Sequence, residues 1–216
     1  MDITQTIALT MGVAWASGIN LYAAILMLGY LGTTGSIDLP PDLQVLGNPM
    51  VMLAAGLMFV IEFFTDKVPG VDSGWDAIST FIRIPAGAVL AAGAIGEVGT
   101  AAQLAAGLAG GALATGSHAT KAGTRVLINS SPEPITNWFA SVGEDVAVIA
   151  GLWTALYHPA LFIVLLVVFI LLMIWLLPKL WRGIKKVFGF IGRLFGGSKP
   201  AQPPPAPAKP EAEQQE

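Results

Sequence analysis

The sequence contains no cysteine and only two histidines, His118 and His158. A disulfide framework, a thiolate nucleophile and a thiolate metal site are thereby excluded, and imidazole chemistry is confined to two positions. Charge is scarce as well: Asp, Glu, Lys and Arg make up 12% of the 216 residues against 54% hydrophobic ones, and mean hydropathy is +0.69. That balance lies outside the range of ordinary soluble domains and reads as an integral membrane protein. No Lys or Arg precedes the first apolar run, whereas a secretory signal opens on a positive region with a shorter core, so the run is read as a retained helix. An HExxH zinc motif, a serine nucleophile elbow and the longer aspartate signatures of membrane prenyl or alcohol-phosphate transferases are missing too. The segment "GSH" followed by Lys121 and Arg125 is only a fragment of a lipid-phosphatase motif. The formal charge of -3 says little about partners, and no nucleic-acid partner is expected.

What is present is a series of membrane-length apolar stretches. A helix needs about 20 residues to cross the ~30 Å hydrocarbon layer. Residues 7–31 carry no charge, and Ser17, Gly18 and Asn20 in their middle suit close helix contact with an interhelical hydrogen bond. Met50 to Phe64 is apolar apart from Glu62, and Pro69-Gly70 stops it. A polar helix start with Asp72 or Ser73 as N-cap runs past Pro85, which is expected to kink it. Thr100 to Gly116 is almost wholly Ala, Gly and Leu, a surface that lets backbones approach closely inside a bundle. Helical character resumes over Ile135 to Tyr157 and again over Ala160 to Leu177, where Trp175 serves as an interfacial anchor. The expected fold is all-α: a polytopic membrane bundle over 1–177 with about five or six membrane segments, some of them broken or re-entrant.

Beyond Pro178, Leu180, Ile184, Val187, Phe188, Ile191 and Phe195 fall on one helical face, with Lys179, Arg182, Lys186 and Arg193 on the other. Residues 178–197 therefore read as a basic amphipathic helix on anionic lipid headgroups. The positive-inside rule puts this end in the cytoplasm of a bacterial inner-membrane protein. Residues 198–216, rich in Pro, lack the apolar content to offset ordering entropy and read as a flexible tail. A homo-oligomer is compatible with all of this.

Most charges outside the tail sit in two stretches, "EFFTDKVPGVDSGWDAISTFIR" and "SHATKAGTRVLINSSPEPITNWFASVGED". Charge at membrane depth costs a few kcal/mol even on lenient scales (about 2.5–3.5), so it normally faces a bundle interior or a wet cavity. Glu62 and Asp66 are four apart, as are Asp72 and Asp76, so each pair shares a helical face and needs something positive between its members. Lys67, Arg83, Lys121 and Arg125 are the internal candidates; a hard cation such as Mg²⁺, Ca²⁺ or Na⁺, with Asp72 and Asp76 as ligands, is the external one. The candidate pathway set is completed by His118, Asn129, Glu133, Glu144 and Asp145. Three readings use these residues: a proton, ion or solute pathway; a Mg²⁺-dependent phosphoryl or diphosphate enzyme with Arg83, Lys121 and Arg125 on phosphate; and a scaffold in which the charges neutralise one another. His118 is a proton relay in the first and a packing residue in the last.

"AAGLMFVIEFFTDK" echoes "AAGLAGGALATGSHATK", each a small-residue helix ending in a polar residue, Thr and Lys. An internal repeat of the transporter type is one reading of this echo, and chance likeness of alanine-rich helices is the other. At "GINLYAA", "EFFTDKVPGVDSGWD", "IRIPAGA", "SHATKAGTR", "NSSPEP" and "ED" the chain resembles a bacterial membrane-protein family catalogued as domain of unknown function 4126. The resemblance covers roughly 18–159. It implies a multi-pass membrane protein and supplies no activity.

Overall fold

The computed structural model describes residues 2–130 and 134–195, and these form helices and short connections with no strand among them. The helices are α1 (Ile3–Thr33), α2 (Pro49–Thr65), α3 (Val71–Ala94), α4 (Thr100–Asn129), α5 (Pro134–Tyr157) and α6 (Pro159–Phe195), with a 3-10 helix at Pro41–Gly47 before α2. Four of them, α1, α3, α5 and α6, are long and apolar enough to cross a membrane. The 3-10 helix and α2, bent by 66°, make a fifth if taken as one broken span. The protein is a helical membrane bundle, with four such segments, or five, where about five or six were expected.

Local chemistry sets the boundaries. Asp2 and Gln5 close a capping box at the start of α1. Asn48 caps α2, with Pro49 at its first position. α3 is capped two residues earlier than the expected Asp72, or three earlier than Ser73: Gly70, at φ +85°, turns the chain into Val71. Asp72 lies in the first turn and accepts from the Gly70 and Ser73 amides. Pro85 is accommodated inside α3, and α6 continues without a break through Pro178. The boundary expected at 178 therefore falls within a helix about 55 Å long by its 37 residues. Leu180 is buried against Gly123 of α4, and Ile184 approaches the same glycine, so part of the apolar stripe of this segment rests on the bundle. Glu133 and the 198–216 tail lie outside the described residues, as do the side chains of Ile191, Arg193 and Phe195.

Contacts between helices fix their directions. α4 and α6 run side by side in parallel, with Gly116 beside Met173, Gly123 beside Leu180 and Leu127 beside Gly183. α3 runs against α4: Gly87 meets Ala114, and Gly110 meets Ala91 so closely that a Cβ there would fall 2.3 Å from the alanine methyl. This is the backbone approach that the Ala/Gly-rich stretch permits.

α1 does not simply traverse the bundle. Asn20 breaks it with non-helical angles of φ -144° and ψ 93°. Before the break, Ile3 to Met11 share a cavity wall with Ile95, Val98 and Ala102 at the α3–α4 connection. After it, Gly29 lies against Leu46, and Gly47 lies against Thr33. Asp42 of the same 3-10 helix reaches Gln103, beside that same connection. Both arms of α1 therefore point to one end of the bundle, and their apex at Gly18–Asn20 points to the other. The arms form the centre of the apolar core, with Leu9, Val13, Ala14, Ala24 and Leu28 fully enclosed. Large apolar side chains are displayed outward instead: Met50, Leu57, Phe81, Phe139 and Leu171 are all exposed, as expected of a surface solvated by lipid.

Candidate functional site

Charged side chains from α2, α3, α4 and α5 meet at the apex of α1. Because α2 and α4 arrive at this end of the bundle while α3 and α5 depart from it, their polar termini share one level. The centre is Lys121, whose Nζ lies 2.8 Å from Asp66 Oδ2, 3.1 Å from Glu62 Oε1, 3.5 Å from Glu144 Oε2 and 3.8 Å from Asp76 Oδ1. Arg83 pairs with Glu62 and stands 3.4 Å from Asp76 Oδ1. Arg125 grips Glu144 with two parallel bonds of 3.2 and 2.7 Å, the fork geometry that guanidinium favours, and reaches the Asp66 and Asn137 carbonyls as well. Of these seven ionisable side chains only Glu144, 19% exposed, has appreciable contact with the outside.

The broken helix supplies the foot of the cluster. A helix end leaves backbone groups without intrahelical partners and carries a partial charge. The first arm of α1 ends on carbonyls, and two cations and an imidazole meet them: the Ile19 oxygen accepts from Arg83 Nη1 at 3.0 Å and Lys121 Nζ at 3.1 Å, and the Gly18 oxygen lies 3.2 Å from His118 Nδ1. The second arm begins with free amides, and Asn20 caps it by accepting from the Ala23 amide. The Asn20 amide group in turn donates to Asp145 at 2.7 Å, which brings a carboxylate to the positive end of that arm.

Toward the outside, the polar groups continue in layers. Asp72 accepts from Asn129 at 2.7 and 2.9 Å and from Asn137 at 3.3 Å. From Asn129 to His118 the groups descend along about 16 Å of α4 at 1.5 Å per residue. Since Gly123 is level with Leu180, the upper layers lie where the basic residues of α6 begin, and the foot reaches into the layer flanked by its apolar run. Trp175 and Lys179 mark this level on the outside, the ammonium sitting 2.9 Å above the indole.

Of the residues singled out in the sequence, Glu62, Asp66, Asp76, Arg83, Lys121, Arg125 and Glu144 form one network; Asp145, Asp72 and Asn129 join through amide groups, and His118 touches Arg83 and the Asp76 carbonyl. Asp72 and Asp76, though four apart, are engaged by different partners. Among the described residues no group of three or more His, Asp or Glu is arranged to hold a metal. Lys67 takes no carboxylate partner within the cluster: its ammonium bonds the Phe63 carbonyl and Ser141 and lies over the Phe63 ring. Burial holds its pKa below the ordinary 10.5, with Asp145 and Asp66 opposing the shift. His158 is simply the joint between α5 and α6.

Several participants went unremarked in the sequence. Asn137 and Ser141 are fully enclosed partners of Arg125 and Lys67, and their spacing with Glu144 and Asp145 on one face of α5 was a readable signal. Thr80, 2.8 Å from His118 Nε2, and the Gly18 and Ile19 carbonyls carried none. The echo between the two stretches does not map onto equivalent places, since Lys67 lies in a turn and Lys121 in mid-helix.

These features define a multi-pass helical membrane protein built round a broken helix and an enclosed ionic cluster. Residues 7–179 match the family described as "Domain of unknown function (DUF4126)", and the chain belongs to it. No curated protein and no solved structure matches the chain.

Proposed function

We propose that the cluster is the ion-binding part of a pathway for protons or a small monovalent cation such as Na⁺, entered from the end of the bundle that carries the basic residues of α6. The observation behind this reading is a charge mismatch in an enclosed place. Glu62, Asp66, Asp76 and Glu144 are four acids converging on three bases, Arg83, Lys121 and Arg125. Glu62 Oε2, Asp66 Oδ1 and Asp76 Oδ2 are buried without a hydrogen-bond partner among the described residues. Leaving an ionised carboxylate oxygen in that condition is costly, and a bound proton or cation removes the cost. Broken helices whose ends meet charged groups at a binding site are a recurrent transporter device. The opposite end of the pathway is shut by the packed arms of α1, so passage requires those arms to separate. The basic stretch of α6 supports a cytoplasmic position for the open end and contact with anionic lipid.

The scaffold reading draws on a specific observation too, because every cation of the cluster already has several partners. The enzyme reading draws on none: Arg83, Lys121 and Arg125 all face internal carboxylates and carbonyls. A liposome assay with proton, Na⁺ and K⁺ gradients separates the first two. Flux that is lost in Glu62→Gln, with the variant still folded, supports the pathway; absence of flux under every gradient removes it in favour of the scaffold.

A further inference from the structure

We infer that the moved ion is a proton and that Asp76 is the carboxylate that accepts it. This rests on reading the cluster as an ion pathway. Two observations single out Asp76 from the four acids. It is the least firmly held: its nearest cationic contacts are 3.4 Å to Arg83 and 3.8 Å to Lys121, whereas Asp66 and Glu144 have contacts of 2.8 and 2.7 Å and Glu62 is in direct contact with Arg83. Like Glu62 and Asp66, it is buried with a second oxygen that has no partner among the described residues. It is also the only one of the four that lines the cavity of about 350 Å³ between α3 and α4, along with Ser73, Thr80, His118 and Ala122.

The charged and titratable groups facing Asp76 are Arg83 on α3, Lys121 and His118 on α4, Glu62 on α2 with Asp66 at its C-cap, and Glu144 on α5. Arg83 and Lys121 favour the carboxylate, but both are already committed to Glu62, Asp66 and Glu144, which repel a fourth negative charge. Adding one proton to Asp76 leaves three ionised carboxylates against three bases, so the seven groups reach a net charge of zero. A metal cation would need several free oxygens at one point, and the described residues provide no such group. Its main-chain carbonyl is meanwhile fixed by Thr80 and His118, so protonation changes the side chain without releasing α3.

The test is infrared difference spectroscopy of the protein in lipid nanodiscs across a pH titration. Wild-type protein is expected to show a protonated-carboxyl stretch that titrates, shifts on ¹³C-aspartate labelling, stays put on ¹³C-glutamate labelling and disappears in Asp76→Asn. Should Asp76→Asn fail to fold, the labelled wild type is read alongside Asp66→Asn, Asp72→Asn and Asp145→Asn, each of which should keep the band. A band that moves with glutamate label, one that vanishes in another aspartate variant, or no titrating band at all overturns the assignment. Because the readout needs no transport, a titrating Asp76 without flux would sink the pathway and spare the proton site. Proton flux without the band would do the reverse.

Discussion

Asn20 Nδ2 lies 2.7 Å from Asp145 Oδ1, joining the break in α1 to a carboxylate 125 positions away. One side chain thus performs two tasks, since its oxygen caps the second arm of α1 while its amide nitrogen donates to a part-buried carboxylate. Asn20→Ala removes both, with an expected loss of about 1–3 kcal/mol for the stranded acceptor and about 1 for the cap. Asn20→Asp retains the cap but sets two carboxylates together, and should be worse. A double-mutant cycle with Asp145→Asn, read by thermal unfolding in detergent, should return a coupling of about 0.5–3 kcal/mol. Strict additivity would mean that the contact does not hold the apex.

Lys121 is the common partner of four carboxylates, which makes it the residue whose charge the fold can least lose. Lys121→Met is expected to destabilise by about 3–5 kcal/mol, the range for breaking a buried pair and leaving its partner charged. Adding Glu62→Gln removes one of the stranded charges and should recover part of the loss. The comparison is made by melting temperature of the solubilised protein. A double variant no better than Lys121→Met alone would argue that the lysine matters for its hydrogen bond to the Ile19 carbonyl and not for its pairing with Glu62.

The parts of this arrangement that could be read from the sequence are those set by length and periodicity. Membrane-length segments put the polar ends of α2, α3, α4 and α5 at one level, so two distant charged stretches had to lie close if they belonged to one bundle. The i, i+4 rule placed Glu62 with Asp66 correctly on the face that meets Lys121. It misled for Asp72 and Asp76: residues four apart share a face but stand about 6 Å apart along the axis, and in a layered column that is enough to give them different partners. The sharp turn at Asn20 had no periodic signal, because neither arm carries a charged residue to mark a polar face. Backbone carbonyls as ligands for Arg83 and Lys121 are likewise invisible until the break is known. Charge alone groups Lys67 with the bases in the sequence, while its aromatic surroundings come from Phe63 on one helix and Trp138 on another.

Those surroundings give Lys67 a pH signature. Burial lowers its pKa in the folded state relative to the exposed lysine of the unfolded chain. The folded state therefore binds this proton less tightly, and the resulting cost is fully present at pH values below the folded pKa. It is relieved as pH rises through the folded value toward the ordinary 10.5. Lys67→Met has nothing to titrate. Its stability relative to wild type should accordingly be most favourable near neutral pH and fall steadily in alkaline solution, when paired unfolding curves are measured over a pH series. A difference that grows with pH would reverse the sign and show that the ammonium is stabilised where it sits.

The direction of α1 is open to a simple chemical test, because a chain without cysteine accepts single reporters. If both arms point to the α3–α4 connection, Ile3→Cys, Ser36→Cys and Glu97→Cys should react with a membrane-impermeant maleimide from one side of a sealed vesicle. Ser130→Cys and Lys185→Cys should react only from the other. In the orientation proposed above, with Lys179, Arg182, Lys185 and Lys186 directly after the apolar run of α6, that second side would be the cytoplasmic one. An α1 that crosses the bilayer once would split the first group, leaving Ile3 and Ser36 on opposite faces. In that case the Gly18 and Ile19 carbonyls would no longer close the foot of the charged column, and Arg83 and Lys121 would need other partners.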